Sequence, residues 1–282
     1  MLSAQEIVLE YACPAAGAVT ATMMFAAPAK DVWRASQQGS LGSLNPTPWA
    51  VMLGNCCGWV TYGILVHNYF VYFANAPGFL LSIWFNLKAV QLQYASARTT
   101  ALRRSMVQAM ATEPQSNNYA KLVWEVTTQQ VPAPVAQETL VLGMAILWLG
   151  VLSAITLGRS WSQETKELIV GITVNCNLVF FYGAPLSTIW TVLSTRSSAT
   201  IHRPTLLTNT ANGAFWCAYG LAVLDPFIAV PNGLGAALGV IQVLLCLLFP
   251  RKVTDSPTEE NVEVAPMTDN DDDDDASPTE SP

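Results

Sequence analysis

Trp59, Tyr62 and Asn75 in the first half of the chain return as Trp216, Tyr219 and Asn232 in the second, each pair separated by 157 residues. An amide both donates and accepts hydrogen bonds, and a flat indole can cover the apolar C–H face of a ring. Two of each, brought to one place, suit a neutral polyhydroxylated solute and require no fixed charge. They offer a means of binding and none of reacting. His67 and His202 fall in turns on opposite sides of the predicted membrane, so neither gathers a nucleophile, an acid and a base around it, and no enzyme is expected.

The elements that position these residues come as a duplication. The same shift superposes Pro28 on Pro185 and Gly78 on Gly235, while Pro48 and Pro204 slip to 156. Composition places the duplication in a membrane, since 51% of residues are apolar and 12% charged, with the charges gathered between apolar runs. Seven runs are predicted to span, at roughly 7–28, 47–66, 69–94, 139–158, 167–190, 204–223 and 227–249. Each is near the ~20 residues that cross ~30 Å of hydrocarbon. The fourth has no counterpart in the duplication. The predicted fold class is therefore an all-α membrane protein with seven transmembrane helices: two parallel three-helix repeats joined by an inverting linker helix, in a 3+1+3 order. The expected divisions are 1–96 for the first repeat, 97–138 for a cytoplasmic connecting loop, 139–160 for the linker helix, 161–250 for the second repeat and 251–282 for a tail.

Lys30, Arg34, Arg98, Arg103, Arg104, Lys121, Arg196, Arg203, Arg251 and Lys252 all follow odd-numbered spans, with only Arg159 and Lys166 opposite them. The positive-inside rule then predicts an outer N-terminus and a cytoplasmic C-terminus. Glu6 and Glu10 at the start, in place of a basic region, argue against a signal peptide. The formal charge of −7 comes from the tail, where residues 251–282 carry −9 and leave the rest at +2. With Asp271 to Asp275 and almost nothing to bury, the tail is expected to be disordered. Within the 97–138 loop, Leu122, Val123, Trp124 and Val126 could form a short interfacial helix. All six cysteines fall inside apolar spans at spacings that suit neither zinc nor a redox pair. Neither a metal nor a cofactor is expected, and without a basic stripe no nucleic-acid partner is expected either.

Depth decides whether the polar residues can meet. Trp59 lies eleven residues beyond Pro48, roughly 16 Å along a helix, which takes it to about the bilayer midplane. Asn75 descends the next helix to a similar depth, and Trp216 and Asn232 repeat the arrangement. Tyr62 and Tyr219 share the face of each Trp, one turn nearer the exterior. Asparagine in lipid is costly unless paired, which favours a binding role over packing. Pro28, Pro48, Pro185 and Pro204 close the first span of each repeat or open the second. They should cluster at the cytoplasmic side, where a missing backbone donor loosens helices into hinge points for a gate.

At these residues the chain resembles the SWEET family of sugar transporters, over about 17–94 and 165–250. The specific pieces are Ala184-Pro185-Leu186-Ser187, Trp216-Cys217-Ala218-Tyr219-Gly220 and Asp225-Pro226-Phe227-Ile228-Ala229-Val230-Pro231-Asn232-Gly233. The resemblance implies seven spans and facilitated, alternating-access movement of mono- or disaccharides. It also implies Asn75 and Asn232 as substrate-binding residues, Trp216 as the pocket tryptophan and the four prolines as an inner gate. Tyr62, Tyr219 and Asp225 are added as gate residues. Many plant members have a smaller residue where Trp59 stands, which implies a narrower, more symmetric pocket and a hexose in preference to sucrose. The plasma membrane is the expected address, with an internal membrane and a homo-oligomer left open. Two alternatives make different demands on the sequence. A PQ-loop amino-acid transporter would show Pro-Gln after spans one and five, where this chain has Pro28-Ala29 and Pro185-Leu186. A membrane receptor or scaffold would have no need of matched polar residues at the midplane.

Overall fold

The computed structural model describes residues 3–112 and 136–251, and all regular structure among them is helical. Short turns at Ala4–Glu6 and a π-helical Ile7–Ala12 lead into α1 (Cys13–Ala26). There follow α2 (Ala29–Gln38), α3 (Thr47–Leu65), α4 (Tyr69–Thr112) and α5 (Ala136–Leu157). The last three are α6 (Gln163–Thr195), α7 (Arg203–Ala222) and α8 (Pro226–Leu248).

Among the described residues five helical stretches are long and apolar enough to cross a membrane: Ala4–Gln38, Tyr69–Val107, Ala136–Leu157, Gln163–Thr195 and Pro226–Leu248. The two remaining helices predicted to span, α3 and α7, are 19 and 20 residues long. These two carry Asn55, Trp59 and Tyr62, and Asn209, Asn212, Trp216 and Tyr219.

Packing follows the duplication. In the first triplet α4 packs against both α1 and α3; in the second, α8 packs against both α6 and α7. The third helix of each repeat therefore sits in the middle. The triplets meet along two equivalent seams, α1 with α7 and α3 with α6, while α5 lies mainly on α3 and α4.

The two helical hairpins match in detail. The N–H groups of Val66 and Asn68 bond the carbonyls of Tyr62 and Gly63 at 3.0 and 2.8 Å, and those of Val223 and Asp225 bond Tyr219 and Gly220 at the same distances. His67 and Leu224 both take positive φ, 53° and 54°, to make the turn. Gly63 and Gly220 are required by close approach, since a Cβ would stand 2.9 Å from the Tyr72 nitrogen in one hairpin and 2.5 Å from the Ala229 nitrogen in the other. That contact explains why a glycine follows each tyrosine.

Two sequence expectations need correction. Residues 97–112, assigned to the connecting loop, continue α4 as helix through Thr112. This stretch is polar but rich in Ala, Arg, Met and Gln, which favour helix, and has no proline before Pro114. Pro185 does not close a span: α6 runs ten residues past it to Thr195, as helices in lipid tolerate when neighbours take up the loss. Pro28 does break its helix, capping α2 after α1 ends at Ala26. The suggested interfacial helix near Trp124 and the acidic tail beyond Arg251 lie outside the described residues.

Candidate functional site: a cavity between the helix triplets

A cavity of about 450 Å³ lies where the triplets meet, within the size range of small-molecule sites. Trp59, Asn75, Trp216 and Asn232, the four residues singled out for binding, all line it. The tryptophans are 7% and 6% exposed, so their indoles are walls held by packing. Gly17 seats one of them, because a Cβ there would lie 2.7 Å from Trp216 Nε1.

The asparagines are fixed in the same way in each repeat. Asn75 Nδ2 donates to the Val71 carbonyl at 2.9 Å and Asn232 Nδ2 to the Ile228 carbonyl at 2.8 Å, each one turn back on its own helix. One N–H of each amide is thereby used, and among the described residues no donor is recorded on either carbonyl oxygen. These backbone bonds pair the asparagines locally, and they also set the orientation a binding role needs.

Sequence reasoning missed a second amide pair. Asn55 and Asn212, again 157 apart, line the cavity one turn before each Trp. Thr20 Oγ1 donates to Asn212 Oδ1 at 2.8 Å, across the α1–α7 seam. Asn55 Oδ1 is buried and meets no partner among the described residues. Four amides thus line one cavity, a group type that both donates and accepts as hydroxyl groups do. No Asp, Glu, Lys, Arg or His is among the lining residues.

Toward one end of the molecule, outside the cavity lining, the repeats make reciprocal contacts. Tyr62 Oη donates to Asp225 Oδ2 at 2.9 Å, and Asn68 Nδ2 donates to Tyr219 Oη at 2.8 Å. Positions 68 and 225 are equivalent, and each caps the third helix of its triplet. Asp225 Oδ1 accepts from the N–H groups of Phe227 and Ile228, and Asn68 Oδ1 from that of Val71. Aromatic edges repeat the exchange: Tyr62 stacks on Trp59 and Phe227, and Tyr219 on Trp216 and Phe70, with ring centroids 5.7 to 6.0 Å apart. Neither Tyr nor Asp225 lines the cavity. Away from this end, the lining extends to Pro185, Leu206 and Gln242. Of the four prolines only Pro185 takes part; Pro48 and Pro204 are exposed at the second position of α3 and α7, and Pro28 is half-buried at its helix break.

The family described as "Sugar efflux transporter for intercellular exchange" matches residues 14–87 and 168–254, one stretch in each repeat. The chain belongs to the SWEET family. Among curated SWEET relatives it is 25% identical to the bidirectional sugar transporter SWEET4 of Oryza sativa subsp. indica, over 82% of this chain and 76% of that one. It is 26% identical to the bidirectional sugar transporter SWEET8 of Arabidopsis thaliana, over 86% and 90%. The fold matches that of a eukaryotic SWEET transporter solved at 3.7 Å resolution, with a TM-score of 0.61 and 20% identity over 88% of this chain and 99% of that one. This is a family of membrane transporters and not of enzymes.

Proposed function

We propose that this SWEET protein is a facilitative sugar carrier, with the cavity between its triplets as the solute site. The observation that carries this reading is the double set of amides and the two indole walls, arranged with no charge around about 450 Å³. Hydroxyl groups can exchange hydrogen bonds with the amides while the ring faces meet tryptophan. An amino acid would bring an ammonium and a carboxylate for which the lining holds no counter-charge.

In this reading the seven predicted spans cross the bilayer in 3+1+3 order, with the N-terminus outside. The end closed by Tyr62–Asp225 and Asn68–Tyr219 is then the outer gate, and the arrangement described is closed outward. Alternating access follows if the two triplets rock about the site, parting the tyrosine end while the ends of α1, α3, α6 and α7 near Pro28, Pro48, Pro185 and Pro204 come together. Trp59 together with Trp216 leaves room suited to one ring, so a hexose is favoured over sucrose. No carboxylate, ammonium, guanidinium or imidazole group is among the described lining residues to couple transport to protons or sodium, so movement is passive uniport. The plasma membrane is the proposed location.

Uptake of labelled glucose, fructose and sucrose by cells lacking their own sugar transporters tests the reading. Glucose or fructose entry well above that of sucrose is the expected result; no entry of any of the three would sink it.

A further inference from the structure

Three buried polar atoms beside the cavity meet no partner in the protein: Asn55 Oδ1, Asn177 Oδ1 and Trp148 Nε1. Their side chains, from α3, α6 and the linker helix α5, are 7%, 5% and 3% exposed. Asn177 and Trp148 flank one spot, since a Cβ on Gly54 would stand 2.6 Å from Asn177 Nδ2 and 3.4 Å from Trp148 Nε1. Both of those nitrogens are donors. Asn177 Nδ2 reaches only Met144 Sδ, at 3.7 Å, and a thioether is a weak acceptor. Donors are therefore gathered on one side of the Asn177 amide while two amide oxygens lie unpaired.

The opposite seam shows the paired version. Position 177 corresponds to Thr20 and position 55 to Asn212 at the 157-residue shift. There Thr20 Oγ1 donates to Asn212 Oδ1 at 2.8 Å. We propose that Asn177, which does not line the cavity, is a positioning residue for Asn55, as the middle of a hydrogen-bonded chain from Trp148 to the solute. In this chain the Trp148 N–H donates to Asn177 Oδ1, and the Asn177 NH2 donates to Asn55 Oδ1. The step this needs is a half-turn of the Asn177 amide, which exchanges an oxygen and a nitrogen of nearly equal size. All three unpaired atoms then gain partners, and only the thioether contact is given up.

Held in this way, Asn55 keeps its NH2 group on the cavity as a donor to a solute hydroxyl, matching Asn212 across the site. The linker helix thereby becomes part of the binding apparatus without touching solute. The inference rests on the reading of the cavity as a sugar site.

The test is the concentration dependence of labelled glucose uptake, corrected for surface abundance, in Asn177→Leu, Trp148→Phe, Asn55→Ala and the double variants. Asn177→Leu should raise the half-saturating concentration about three- to tenfold, the scale of one net hydrogen bond, with little change in maximal rate. Asn177→Thr, which copies Thr20, should restore most of the loss. In the Asn55→Ala background Asn177→Leu should add nothing further, as expected of a residue that acts through Asn55. Trp148→Phe removes the N–H, keeps an aromatic ring, and should shift half-saturation in the same direction. It decides the matter by the same comparison should Asn177→Leu fail to reach the surface. Unchanged half-saturation in both variants, or effects additive with Asn55→Ala, would overturn the chain while leaving the sugar reading intact. A wild-type protein that moves no sugar would instead remove that reading, before any variant is compared.

Discussion

The Tyr62 hydroxyl of the first repeat donates to the Asp225 carboxylate of the second at 2.9 Å, and Tyr219 is met in return by Asn68 at 2.8 Å. The two bonds are equivalent in position but not in strength. A bond to a charged group contributes about 1.5–3 kcal/mol against about 1 kcal/mol for a neutral pair. Tyr62 is buried but Asp225 is only partly so, which places the Asp225 bond at the lower end of that range. Closure of this end should therefore depend more on Tyr62 than on Tyr219.

A cysteine introduced at Val71, in the cavity wall, would report on that closure. In intact cells its labelling by a membrane-impermeant thiol reagent should be faster in Tyr62→Phe than in Tyr219→Phe, and slowest with both tyrosines present. Equal labelling in all three would mean that the hydroxyl contacts do not hold the end shut.

Gly63 and Gly220 should resist substitution to different degrees. A Cβ would meet backbone nitrogen at 2.9 Å in the first hairpin and 2.5 Å in the second, and backbone yields less readily than a side chain. Gly220→Ala should cost about 1–3 kcal/mol and Gly63→Ala less. Thermal unfolding of the detergent-purified proteins would show this order as a larger fall in melting temperature for Gly220→Ala.

Much of this architecture was legible in the sequence because duplication writes each structural requirement twice. The Trp, Tyr-Gly and Asn positions were read off one shift, and all four proposed binding residues fall on one cavity. Carrying the shift further would have revealed Asn55 with Asn212 and Asn68 with Asp225. What the shift cannot give is which helix of one repeat faces which of the other. The bond from Tyr62 to Asp225 rather than to Asn68 on its own hairpin had to be seen in space. Pro185 was misjudged by a rule for helix breaking in water, and 97–112 by equating polarity with a loop.

Trp59 sets the width of the proposed site on the first-repeat side, where it is 7% exposed against its neighbours. Trp59→Ser should lower glucose uptake several-fold through loss of the stacking surface, and should admit sucrose into the released space. Paired uptake assays with the two sugars would detect the crossover. Unchanged glucose uptake with sucrose still excluded would assign Trp59 to packing alone.

Orientation follows from the excess of Lys and Arg after odd-numbered spans. A tag fused at Met1 should be reached by antibody on unpermeabilised cells, and one placed after Arg251 only once the cells are permeabilised. Both tags on one side would exclude an odd number of crossings.

The central claim is that sugar moves passively through the cavity, held by Asn75 and Asn232. Purified protein reconstituted into liposomes, with labelled glucose outside, measures this with no other transporter present. Glucose should equilibrate to the external concentration and stop there, with or without a proton or sodium gradient. Loss of a buried hydrogen bond and the unpaired hydroxyl it leaves, about 1–3 kcal/mol together, should slow the flux at least several-fold in Asn75→Ala and in Asn232→Ala at equal protein content. Accumulation above the external concentration driven by an ion gradient would contradict passive transport, and full flux in both variants would contradict the site.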